Sequence, residues 1–140
     1  MTRWAIFFVS VITACSDIKQ QTITDYYWPN GNVKRELVVV AGDTTAITIY
    51  DEAGRLSKIC RWSKGEKHGK WEAYYLDGKP WSFHQYKRGV QVGAYHTWHP
   101  NGEPFITGQY DSIGNPAGIW RFFDDKGHLI KEEIGPSVHN

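Results

Sequence analysis

Leucine is almost missing from this sequence. Only Leu37, Leu56, Leu76 and Leu129 occur in 140 residues, alongside a single methionine. These are favoured helix formers, so their scarcity argues against a helical architecture. An excess charge of one sign is also lacking, because 16 basic residues stand against 15 acidic ones. That balance excludes a surface built to bind nucleic-acid phosphates, which needs a basic footprint. Two cysteines, Cys15 and Cys60, allow one disulfide at most. The apolar run from Trp4 to Ile12 is too short to span a bilayer as a helix. What the chain has instead is 14 glycines and an aromatic set of 7 Trp, 8 Tyr and 6 Phe. Tyr, Trp and Phe, with Ile, Val and Thr, suit strands, and glycine suits turns. The composition predicts an all-β chain. Its length fits one domain, and 22% charged residues is ordinary for a globular one.

The N-terminus has its own logic. Arg3 and the free amine precede "WAIFFVSVI", the order of charge and apolar run found in a secretory signal. The run ends in "ITAC", Ile12-Thr13-Ala14-Cys15, which resembles the lipobox of bacterial lipoproteins. That resemblance implies a signal peptide over residues 1–14 and a lipid on Cys15, the new N-terminus. Ser16 is similar to residues compatible with outer-membrane sorting, so the expected location is the bacterial envelope, at the outer membrane. The other readings are a plain secretory signal with an incidental cysteine, or a buried first strand. Removing Arg3 leaves 16 − 1 = 15 basic residues against 15 acidic ones. Residues 15–25, containing "SDIKQQTIT", read as a polar tether. Cys60 follows Ile59 in an alternating run and reads as a small core residue.

From residue 26 the chain repeats itself. Residues 50–73 read "YDEAGRLSKICRWSKGEKHGKWEA", residues 74–97 "YYLDGKPWSFHQYKRGVQVGAYHT", and residues 98–122 "WHPNGEPFITGQYDSIGNPAGIWRF". A degraded copy starts at Tyr27 and a partial one at Phe123. An aromatic opens each unit, at Tyr27, Tyr50, Tyr74, Trp98 and Phe123, and a glycine follows four residues later. The three full units then place Trp62, Tyr86 and Tyr110, followed by Gly69 before Trp71, Gly93 before Tyr95 and Gly118 before Trp120. Glycine after Asn, Asp or Lys supplies the positive φ of a tight turn. A second loop is expected at "KGEKHG", "RGVQVG" and "SIGNPAG". Between turns the side chains alternate, so each unit of about 24 residues predicts a hairpin. The predicted fold is an elongated antiparallel meander of eight to ten strands over residues 26–134, with a tail at 135–140.

These columns resemble the bacterial MORN-like repeat, a variant of the MORN family with units of the type Y-x-x-N-G-x-x-x-x-E-x-x-Y-x-x-G-x-x-x-G-x-W-x-x-Y. Trp98 to Gly102, Gly118 to Phe123, Tyr50 to Gly54 and Gly69 to Tyr74 carry the likeness. The first copy departs from it, since "LVVVAGDTTAITIY" lacks the second-loop glycine pair and its aromatic, as a capping unit would. The resemblance implies stacked hairpins, membrane attachment and protein scaffolding, and for bacterial relatives an antitoxin label. It implies no catalytic residue and no cofactor.

Searches for chemistry return little. Six histidines invite a metal reading, but His96 and His99 are three apart on a predicted strand and so face apart. His84 and His96 could meet across a hairpin, without a Cys or acidic partner. Asp51-Glu52, Asp124-Asp125 and Glu132-Glu133 sit at turns or near the chain end, not in one cleft. No nucleophile elbow or phosphate loop is present. The aromatic columns remain, as core or as an exposed binding row. Trp71 and Tyr74 are three apart on one strand, so they point to opposite faces unless a bulge intervenes, as do Tyr95/Trp98 and Trp120/Phe123. These six residues form the candidate binding face, and Tyr75 fits no column. The expected function is a non-catalytic, lipid-anchored module holding a protein partner. An alternative is a glycan or cell-wall binder, since "GKWEAYYLDGK" resembles choline- and glucan-binding repeats. A toxin-binding immunity role, or a sheet joined to others through its edges, completes the readings.

Overall fold

A computed structural model describes residues 19–135. The strands are β1 (Gln20–Tyr27), β2 (Val33–Val40), β3 (Asp43–Tyr50), β4 (Leu56–Ser63), β5 (Glu66–Lys67), β6 (Gly69–Tyr74), β7 (Pro80–Lys87), β8 (Val90–Gln91), β9 (Gly93–Trp98), β10 (Pro104–Tyr110), β11 (Pro116–Phe123) and β12 (Leu129–Ile134). Ten of them form one open antiparallel meander in chain order, with β5 paired to β4 and β8 paired to β7. This is the all-β sheet of stacked hairpins that the repeats predict, and the ten main strands meet the expected count. Cys15 and the signal peptide lie outside the described residues.

The first strand begins inside the segment read as a tether. Gln20 to Ile23 pair with Val40 to Leu37. β1 is an edge strand, so one apolar contact per face is enough to hold it. Ile23 opposite Leu37 supplies that contact, and the remaining side chains can stay polar without betraying the strand.

Two kinds of connection alternate. Loops 28–32, 51–55, 75–79, 99–103 and 124–128 share one hydrogen-bond pattern. The first residue's N–H donates to the fifth carbonyl, and the fourth-position glycine N–H donates back to the first carbonyl. Loop 111–115, overlapping the first part of the expected "SIGNPAG" loop, adopts the same form. Gly78, at φ +84° with open space around it, shows why glycine holds the fourth place. The other kind is a two-residue turn at Ala41-Gly42, Lys64-Gly65 and Arg88-Gly89, with positive φ at both positions. Such turns match the natural twist of a hairpin. "KGEKHG" and "RGVQVG" are therefore not open loops but tight turns running into β5 and β8. The first copy, despite its departure from the repeat, makes an equivalent hairpin at Ala41-Gly42, with Val40 opposite Asp43.

Every unit also carries a β-bulge. One residue is skipped in the register between Ala73↔Ser82 and Tyr74↔Pro80, leaving Trp81 extra. Lys34, Ser57, Phe105 and Ile130 are extra in the same way. These five bulges sit on the partner strand, so alternation along β6, β9 and residues 119–122 of β11 is preserved, while Asp25 in β1 and the stretch of β11 facing Gly108 are separate irregularities. Tyr75 also finds a column by role. Its hydroxyl donates to the Trp98 carbonyl at 2.7 Å, as Trp28 Nε1 donates to Tyr50 O at 3.0 Å and His99 Nε2 to Phe123 O at 3.0 Å. Each of these bonds ties the loop of one unit to the opening aromatic of the next.

No second layer covers the sheet among the described residues. Cys60 (3%), Ala73 (7%), Ser82 (9%) and Thr97 (9%) are the buried side chains, and no large side chain is fully buried. Cys60 thus takes the small interior position expected of it.

Candidate functional site: an aromatic band on one sheet face

Register and alternation decide which rings can meet. Trp71 lies opposite His84, and Gly69 opposite Tyr86. Ser82 pairs with Thr97, which puts His84 and Tyr95 on that same face. Across β10, Tyr95 opposes Gly108 and Gly93 opposes Tyr110. The result is a continuous band across β4, β6, β7, β9, β10 and β11. Ring centroids are 4.9 Å apart for Trp62–Trp71, 5.3 Å for Trp71–Tyr86, 4.9 Å for His84–Tyr95, 5.2 Å for Tyr95–Trp120 and 5.1 Å for Tyr110–Trp120. His84 also lies 6.5 Å from Tyr86 and closes the row. All seven rings are half-buried, packed on one another and open to solvent above.

Two features make the band possible. Trp120 lies flat over Gly108, where an added Cβ would come within 2.4 Å of the indole. A glycine inside a strand marks such a close approach. The small side chains of Ala73, Ser82 and Thr97 leave room beside the larger rings. Trp71 Nε1 donates to the Arg61 carbonyl at 2.8 Å, whereas the buried Trp120 Nε1 has no partner among the described residues.

The six candidate residues divide between the faces. Trp71, Tyr95 and Trp120 belong to the band, while Tyr74, Trp98 and Phe123 lie on the opposite side by alternation. Sequence reasoning saw the column Trp62, Tyr86 and Tyr110 but did not place it on the site. His84, Lys58 and Lys67 were missed as members. The signal for the column was its parity: Tyr86 and His84 alternate onto one face, and glycines punctuate the facing positions.

Electrostatics differ between the faces. On the band side Lys58 Nζ is 5.6 Å from the Trp71 centroid and Lys67 Nζ is 4.5 Å from it. Lys67 is also 4.9 Å from the Tyr86 centroid. Burial pushes the His84 pKa below the ordinary imidazole value, and the Lys58 and Lys67 ammoniums push it the same way. His84 Nδ1 lies 3.1 Å from Gln91 Nε2, and a neutral ring accepts that donor. Burial raises the Cys60 thiol and the Tyr86 and Tyr95 phenols, so none is primed as a nucleophile. The opposite face mixes both signs, with Lys70 Nζ 5.8 Å from the Phe83 centroid and two arginines held by glutamates. Arg61 meets Glu72 at 2.7 Å and Arg121 meets Glu132 at 2.7 Å. Tyr50 donates to Glu36 at 2.8 Å, and burial with that carboxylate pushes its pKa up to about 12. A smaller ring row, Phe83, His96 and Trp98, lies there.

His84 and His96 therefore stand on opposite faces, and His99 belongs to a loop rather than a strand. Among the described residues no group of three His, Cys, Asp or Glu is placed to hold a metal ion.

A family model described as the MORN repeat variant matches residues 67–88. That segment is one unit's length, from Lys67 through β6 and β7 to Arg88, and it carries Trp71, Tyr74, His84 and Tyr86. MORN-like repeats are thus supported by comparison at one unit and by the recurring hairpin geometry elsewhere. No curated protein matches the chain. The MORN-like unit places its band residues on strands and its second aromatic column on the reverse of the same strand.

Proposed function

We propose that this is a non-catalytic envelope protein, anchored by lipid on Cys15, whose MORN-like sheet docks a protein partner on the aromatic band. The observation that carries this reading is a contiguous row of half-exposed rings on a single-layer sheet. Exposed apolar surface of that extent marks an interaction site. Aromatic side chains also dominate the energetics of protein interfaces. Sugar stacking favours ring faces open side by side. Within the band the ring pairs are inclined at between 38° and 81° to one another, which suits interdigitating side chains better. The MORN repeat is a repeat of binding and scaffold proteins, and it brings no catalytic motif to these positions.

Crosslinking in intact cells, followed by capture of the tagged protein, tests the docking face. A partner identified by mass and rebound in purified form should survive Tyr74→Ala with Trp98→Ala and be lost with Trp71→Ala and Tyr95→Ala. Equal loss from both faces, or no partner for the unaltered protein, overturns the reading. Intact mass of the mature chain tests the anchor. A free Cys15 thiol, or a Cys15–Cys60 bridge, removes it.

A further inference from the structure

Across its central strands the band presents lysines without carboxylates, whereas the opposite face carries both signs, Lys70 beside Glu72 among them. From β4 to β11 the band face carries Lys58 and Lys67 and no carboxylate by alternation, and at its far end on β12 Glu133, opposite Trp120, is held by Lys131. Neither Lys58 nor Lys67 forms an ion pair among the described residues. On the reverse, Arg61 and Arg121 each meet a glutamate. Lys58 and Lys67 both reach the Trp71 ring, so two ammoniums stand at the β4–β5 end of the row. The positive zone continues into the adjacent turns. Gly89 N–H donates to the Lys67 carbonyl, joining the Arg88-Gly89 turn to β5. Lys64, Lys87 and Arg88 are exposed there, also without ion pairs.

We propose that the partner presents an extended acidic segment, whose apolar side chains pack on the ring row and whose carboxylates meet Lys58 and Lys67. This inference rests on the docking role given to the band and names the chemistry of what docks. Six strands carry the row, so it spans about 24 Å across the sheet, and an extended segment of about seven residues covers that distance. The rings provide apolar contact along the whole span, and the lysines fix its polarity at one end. Charges at the edge of an apolar contact set partner choice and orientation more than affinity. Lys58 and Lys67 also hold the His84 pKa down, after burial. A carboxylate seated beside them offsets their field and returns the imidazole toward its ordinary value. His84 thus reports occupancy without being a ligand.

The test uses the full-length protein in neutral detergent, titrated with a glutamate–tyrosine copolymer while tryptophan fluorescence and the His84 ring resonances are followed. The expected result is saturable binding, a rise in the His84 pKa, and loss of affinity as salt is raised. Lys58→Gln with Lys67→Gln should weaken binding about tenfold, from the loss of two partly exposed charge pairs. Lys58→Arg with Lys67→Arg should restore it, and an unchanged urea midpoint shows that the variants fold. Equal binding of a lysine–tyrosine copolymer, abolished by Trp71→Ala with Tyr95→Ala, overturns the acidic preference but leaves the docking face standing. Binding of neither copolymer overturns both. Lysine-dependent binding of phosphatidylglycerol vesicles or alginate, without the glutamate–tyrosine copolymer, overturns the assignment to a protein segment.

Discussion

Replacing Gly108 by alanine tests the close packing that builds the band. The new Cβ would sit 2.4 Å from Trp120 Cδ2, 2.5 Å from Cε3 and 2.6 Å from Cε2. Carbon atoms prefer separations of about 3.5–4.0 Å, so the indole must lift by about 1.2 Å or tilt away. The ring is rigid, and the obstacle is its fused centre rather than a flexible end. Overpacking of this kind costs roughly 1–3 kcal/mol. A lifted ring also loses its contacts with Tyr95 and Tyr110, at 5.2 and 5.1 Å, worth about 0.5–1.5 kcal/mol each. Some of these losses overlap, so the expected cost is about 2–4 kcal/mol. Urea unfolding followed by tryptophan fluorescence reads this as a lower midpoint. A double-mutant cycle assigns the cause: in a Trp120→Ala background Gly108→Ala should cost less than about 1 kcal/mol. Gly78→Ala is the contrast, because nothing lies near its Cβ and only the φ of +84° is strained. Its cost of about 1–2 kcal/mol should be the same with or without Trp120. Equal costs for Gly108→Ala in both backgrounds would falsify the close-approach account.

Tyr75→Phe should lower stability by about 1 kcal/mol by removing the bond to the Trp98 carbonyl. Tyr74→Phe, on the same chain segment but without such a bond, should change the urea midpoint little. The pH response of stability should carry a His84 component. Its folded pKa lies below the unfolded value, so the unfolded chain binds the proton first on acidification. That contribution is present above the ordinary imidazole pKa of 6.5 and is lost as pH falls below it through the folded value. Urea midpoints measured from about pH 7.5 to about 5 should fall more steeply for the natural chain than for His84→Gln; identical slopes would sink the assignment.

The fold was largely legible because the signal repeats. A single "LDG" is weak evidence of a turn, but the same glycine at 31, 54, 78, 102 and 127 is a register mark. The opposite aim of Trp71 and Tyr74 followed from strand period alone, since the intervening bulges lie on partner strands. What stayed hidden depends on pairing between strands. The extra residues at Trp81 and Phe105 leave no compositional trace. Tyr75 looked unattached because its partner is a backbone carbonyl 23 positions away. Residues 20–25 of β1 look like tether in the sequence because an edge strand needs little apolar content. The band itself required knowing that two-residue turns set Trp62 and Tyr86 on the face of Trp71. Gly108 was the one local hint, a lone glycine within "PFITGQY".

The uncovered sheet has a thermal consequence. Heat-capacity change on unfolding tracks the apolar surface newly exposed to water, about 12–15 cal/mol/K per residue in ordinary globular domains. Here even the most enclosed rings already meet solvent in the native state. The increment per residue is therefore smaller, and so is the curvature of stability with temperature. Denaturant sensitivity falls with it, because the same surface sets the slope in urea. Such a sheet keeps a similar margin from cold to warm conditions, and any partner that covers the band restores the steeper response of a closed core.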